Sequence, residues 1–122
     1  MPAIFETGIQ QVTSGIGTTA ALIFDSDNTS TTTYGPLGSI TAGDVLKDLM
    51  IVNTGTNSLY VGMGSASAAS TTGAQIVAGG TLYLYGYSVT STGSSATGDV
   101  WANTSSGTSS CVVGFVTSPP GV

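Results

Sequence analysis

Asp44, Lys47 and Asp48 fall in one short run, GDVLKDLM, and bring two carboxylates beside an amine. Paired carboxylates do acid–base work when a cleft raises the pKa of one of them. The sequence offers them no His or Arg partner, since Lys47 is its one basic residue and His is absent. A solvated strand edge is the expected role. Asp25, Ser26, Asp27 and Asn28 resemble the start of a calcium loop, with oxygen ligands at alternating positions, and a loop of another geometry is the alternative way they would hold calcium. An EF-hand would need Gly at its sixth position and Glu at its twelfth, and Ser30 and Pro36 stand there instead. The abundant Ser and Thr hydroxyls have no base to activate them. Cys111 lies in the apolar run CVVGFV, where a small buried hydrophobe is expected, and as a lone cysteine it forms no internal disulfide. Asn28-Thr29-Ser30 and Asn103-Thr104-Ser105 fit a glycosylation sequon but read as turn residues. The expectation is a chain without catalytic residues, metal or cofactor.

The aromatic residues offer binding chemistry instead. In TLYLYGY, Tyr83, Tyr85 and Tyr87 alternate with Leu82 and Leu84. Side chains two apart on a strand share a face, so the pattern predicts a one-sided tyrosine ladder with Trp101 near it. Such a ladder anchors a protein interface, stacks sugar rings, or forms half of a core.

The elements that position these residues read as strands. Ala20–Asp25 (AALIFD) is the first clear one, followed by the polar loop DSDNTSTTTYGP. A short strand is expected within Gly38–Gly43, around Ile40. Val45–Asn53 (VLKDLMIVN) and Ser58–Met63 (SLYVGM) flank Thr54–Asn57, which contains Gly55, and predict a hairpin. Ala74–Val77 leads through AGG into Thr81–Tyr87. Asp99–Asn103 (DVWAN) and Ser110–Thr117 (SCVVGFVT) bracket TSSGTS and predict a second hairpin. The segments VNTGTNSLYV and ANTSSGTSSCVV look alike, as two strand–turn–strand units of one sandwich would. Residues 1–17 are expected as an N-terminal arm or an edge strand; an arm lying on a neighbour would bring Ile4 and Phe5 to that interface. Residues 18–122 then form the main domain. The expected fold is all-β: one β-sandwich, jelly-roll-like or barrel domain of about eight short antiparallel strands.

Composition agrees with that fold. Of 122 residues only 6% are charged, and Gly, Ser and Thr approach half the chain. Helix-favouring Glu, Lys and Gln are scarce. Mean hydropathy is +0.35 and apolar residues occur in well-separated runs, so a folded chain is expected rather than a disordered one. The net charge is −5 with one lysine, which excludes counterion-displacing contact with nucleic acid and attraction to an anionic membrane. No stretch approaches the ~20 apolar residues that span a bilayer. MPAIFETGIQ has neither the basic start nor the apolar stretch of a secretory signal, so synthesis in the cytoplasm is expected.

From Leu49 to Thr117 the order of elements is specific: LMIVNTG, SLYVG, a Gly/Ala/Ser/Thr linker, QIVAGGTLYL, and VWANTSSGTSSCVVGFV. This order resembles a recurring small domain in structural proteins of tailed bacteriophages. The resemblance implies a compact β-sandwich on the exterior of a phage head, of the capsid decoration or cement family. It also implies the major capsid protein as partner, and homotrimers at local threefold positions. The final strand departs from the family, being nearly continuous and apolar where members are often more polar. That departure predicts a strand covered on both faces, by a neighbouring subunit on one of them. The expected function is a cement protein of the virion exterior. The alternative is a head-fibre, tail or spike module that recognises host-surface glycans.

Overall fold

The computed structural model describes residues 10–26, 43–64, 73–91 and 98–118. They hold eight strands and no helix: β1 (Gln10–Ile16), β2 (Ala21–Phe24), β3 (Val45–Asn53), β4 (Leu59–Met63), β5 (Ala74–Ile76), β6 (Thr81–Thr90), β7 (Val100–Asn103) and β8 (Ser109–Ser118). The strands form two four-stranded antiparallel sheets, in the orders β1-β8-β3-β6 and β2-β7-β4-β5. Read in pairs, β1 joins β8, β2 joins β7, β3 joins β6 and β4 joins β5. One long antiparallel ribbon rolled over itself produces these orders, which are those of a jelly roll. The expected all-β sandwich is the fold. Ile4, Phe5, Asp27, Asn28 and the Ile40 strand lie outside the described residues.

The sheets pack through alternate side chains. Val100 and Ala102 of β7 are buried while Trp101 and Asn103 are half-buried. Leu59 and Val61 of β4 follow the same rule, as do Cys111, Val113 and Phe115 of β8. Phe24 crosses the core from the second sheet and meets Phe115 of the first edge-on, with ring centroids 5.0 Å apart. Tyr87 packs against the same Phe24 at 5.9 Å, nearly perpendicular. Edge-to-face pairs of this kind add about 0.5–1.5 kcal/mol beyond the area they bury.

β1 is an edge strand of the first sheet, antiparallel to β8. Its Gln11 side chain is fully buried and bonds the backbone of Asp25 twice. Nε2 donates to the Asp25 carbonyl at 2.9 Å, and Oε1 accepts from the Asp25 N–H at 2.7 Å. The amide thereby serves the end of β2 as a further strand would, which closes the β1–β2 side of the sandwich.

The two predicted hairpins are not hairpins. β3 pairs with β6 and β8, whereas β4 pairs with β5 and β7, so the 54–58 turn carries the chain from one sheet to the other. The 104–108 turn between β7 and β8 does the same. The cause is visible at Asn53, whose Oδ1 accepts from the Gly55 N–H at 3.0 Å. That Asx-type bond bends the backbone at the strand end. The Asn53 amide then donates to the carbonyls of Asn57 and Ile76, both at 2.8 Å, which fastens the turn to the second sheet. Among the described strands, only β4 and β5 are both consecutive and paired.

The predicted tyrosine ladder is also corrected. Leu84 pairs with Leu49 and Ser88 with Lys47, so Tyr85, Gly86 and Tyr87 together stand opposite Asp48. Asp48 is in the left-handed region, at φ 56°. This irregularity shifts the alternation of both strands. On β3, Leu46 and Leu49 both face the core; on β6, Leu84 and Tyr87 both do. Tyr87 is therefore 7% exposed, against 47% for Tyr83 and 74% for Tyr85.

Candidate interface

The residues with binding potential divide between the two outer faces of the sandwich. On the first sheet, antiparallel pairing aligns Val12, Val112, Val52 and Thr81 in one row across β1, β8, β3 and β6. The next row is Gln10, Gly114, Met50 and Tyr83. Val12, Met50, Val52 and Val112 are half-buried, each covered laterally by its neighbours and open above. Lys47 and Asp48 sit together at the bulged end of this face. The rest of its described surface is uncharged.

Tyr83 and Tyr85 rise from the β6 margin of that face. Their rings are parallel within 2° with centroids 5.3 Å apart. At that separation parallel rings overlap in an offset stack. The pair is therefore a ridge, and it does not lie side by side as a two-ring floor for a sugar. Behind it, an open apolar pocket of about 270 Å³ is lined by Met63, Leu84, Gly86 and Tyr87. Tyr87 belongs to the core here, and its hydroxyl donates to the Gly98 carbonyl.

Trp101 stands apart from the tyrosines. It lies on β7 in the second sheet, in a row with Leu22 and Gly62. Its neighbours Val100 and Ala102 point into the core, so Trp101 is on the opposite outer face from Tyr83 and Tyr85. Among the described residues, its indole N–H and the Asn103 side-chain oxygen, both buried, have no hydrogen-bond partner.

Comparison with family models, with curated proteins and with solved structures finds no match.

The chemically active residues are not assembled. Asp44 is buried at the start of β3 and its carbonyl accepts from the Ser91 N–H at 2.8 Å, while Lys47 is exposed on the other face of the strand. Asp99 accepts from both the backbone N–H and the hydroxyl of Ser26, at 3.0 and 2.9 Å. Among the described residues no three His, Cys, Asp or Glu side chains group as a metal site. Cys111 is fully buried, and desolvation pushes its thiol up to about 12.

Sequence reasoning singled out the tyrosines and the two-faced apolar final strand that carries Val112, but missed Val12, Met50 and Val52. The available signal was the consecutive, rather than alternating, apolar character of LMIV and CVV. A strand with apolar side chains on both faces has one set left to cover after the core is filled. In β8 the inner set is Cys111, Val113 and Phe115, and the outer set, Val112 and Val116, is half-covered by the sheet itself.

Proposed function

We propose that this chain is a capsid decoration (cement) protein on the outside of a tailed phage head. In this reading it bridges neighbouring major capsid subunits and has no catalytic role. The observation that supports it best is the outer face of the first sheet, whose described surface is uncharged apart from Lys47 and Asp48 at its bulged end, with Val12, Met50, Val52, Val112 and Tyr83 all open to a partner. Such a face packs on another protein without burying unpaired charge, whose desolvation is costly. Homotrimers at local threefold positions are part of the proposal, and that symmetry comes from the resemblance to phage decoration proteins.

The glycan-binding alternative draws support from the exposure of Tyr85. The offset overlap of its ring with Tyr83 counts against it, because the pair lacks the flat breadth of a sugar platform.

The deciding experiment is co-sedimentation of the purified chain with expanded capsids that lack it, with unexpanded procapsids as control. Saturable binding to expanded heads alone supports the proposal and yields the copy number. Absence of binding to either overturns it in favour of a tail or fibre component. Heads stripped of the protein are expected to break at lower temperature; unchanged heat resistance would remove the cementing role.

A further inference from the structure

β6 ends the first sheet, and among the described residues no strand pairs with its outer edge. Natural edge strands are protected from pairing by shortness, bulges, charge or proline. The other edges have such protection: β5 has three residues, β2 has four, and β1 carries an irregularity between Thr13 and Ile16. β6 has ten residues and no charge or proline, and its bulge begins only at Tyr85. Among the described residues, Thr81 to Tyr85 is thus a regular, neutral edge whose outward side meets no strand.

We propose that this edge is a self-association surface, on which two copies of the chain pair antiparallel through Thr81–Tyr85 with Tyr83 opposite the second copy's Tyr83. Three features select a second copy as the occupant. β6 carries no charge, so two copies of this edge bring no like charges together. A two-fold contact needs self-complementary pairs. Centring it on Tyr83 supplies them: Thr81 faces Tyr85 and Leu82 faces Leu84, outer side chain to outer and inner to inner. The Tyr83–Tyr85 ridge then continues across the axis as four rings, and Leu84 is met on the side of the pocket formed with Met63 and Tyr87.

A strand pair of this length buries much less than the ~1,200 Å² of a stable interface. The contact is therefore weak in dilute solution and gains strength where copies are held side by side. It is a two-fold contact, distinct from the threefold one proposed above, and it would link one trimer to the next. It rests on the β6 edge and not on the capsid reading. The test below contains no capsid, so failure of this inference and failure of that reading are separately visible.

The test is sedimentation velocity of the full chain from micromolar to millimolar concentration, with Tyr83→Asp, Tyr83→Lys and an equimolar mixture of the two. Circular dichroism and the emission of the single tryptophan verify the fold. The wild type is expected to shift toward twice its starting mass as concentration rises. Each variant alone is expected to lose that shift, because identical charges meet at the axis, and the mixture is expected to recover it. A wild type that shows no shift at millimolar concentration overturns the proposal. So does association unchanged in both variants, or a mixture that stays dissociated. The double variant Thr81→Lys/Tyr85→Asp places opposite charges across the same register and should associate more tightly than wild type. No gain there would overturn the register.

Discussion

The Ser109 hydroxyl donates to Asn53 Oδ1 at 2.8 Å, joining two turns that lie 56 residues apart in the chain. Asn53 ends β3 where the chain leaves the first sheet, and Ser109 begins β8 where it returns. Around this bond, Thr54 and Ser110 share a hydroxyl hydrogen bond at 2.8 Å, and the Asn57 amide donates to the Thr108 carbonyl at 2.7 Å. The two crossings between sheets therefore brace each other at one end of the sandwich.

Asn53→Ala is expected to destabilise the fold by about 3 kcal/mol, since it strips partners from several buried or half-buried groups at once. Asn53→Asp keeps the acceptor for Gly55 and Ser109 but loses the donor to Ile76 and Asn57. Both variants should lower the urea midpoint. A midpoint within error of wild type for Asn53→Ala would remove the central role assigned to this amide.

Gly55→Ala tests the closeness of the two turns. A methyl group there would lie 2.2 Å from Ser109 Oγ and 2.6 Å from the Ser110 backbone nitrogen. The second clash is with backbone, so one turn must move, at a cost of roughly 1–3 kcal/mol. The loss is expected as a lower thermal midpoint, and combining it with Ser109→Ala should give less than the sum of the two effects, because they share the contact.

The three tyrosines of β6 should respond differently to loss of the hydroxyl. Tyr87→Phe keeps the ring against Phe24 but takes the donor from the buried Gly98 carbonyl, which costs about 1–2 kcal/mol. Tyr83→Phe and Tyr85→Phe, both on the exposed side, should stay within about 0.5 kcal/mol of wild type. Equal losses at all three positions in chemical denaturation would contradict the reversal of alternation at the bulge.

Cys111 sets the alkaline behaviour. Its thiol is raised from 9.0 to about 12 by burial, so above pH 9 the unfolded chain sheds this proton while the folded chain keeps it. The contribution is fully present below pH 9 and falls as pH climbs toward 12, by about 1.4 kcal/mol per pH unit. Urea unfolding at several alkaline pH values, compared with Cys111→Ala at the same values, isolates this slope. Parallel curves for the two proteins would show the thiol to be solvated. In the folded state at pH 8 the thiol should resist alkylation and become reactive only on unfolding.

Strand identity was legible in local patterning. The alternation in VWAN, the β-branched and aromatic content of TLYLY, and the Gly- and Ser-rich turns all led to strands close to those observed. Scarcity of charge and absence of His are likewise plain in the composition alone. The parity of Tyr87 was not legible, because a bulge in one strand is set by the residue it faces on another, here Asp48, which is far away in sequence. The position of Trp101 was hidden for a related reason: periodicity assigns a residue to a face of its own strand, and says nothing of which sheet receives that strand.

By itself, the sequence determined that the chain is all-β, weakly charged and rich in turns, because period-two patterning and composition act through neighbouring residues. Tertiary structure alone decided that VNTG and ANTS cross between sheets rather than form hairpins. That choice depends on the buried bonds of Asn53 to Ile76 and Ser109, and such bonds exist only once segments distant in the chain have come together.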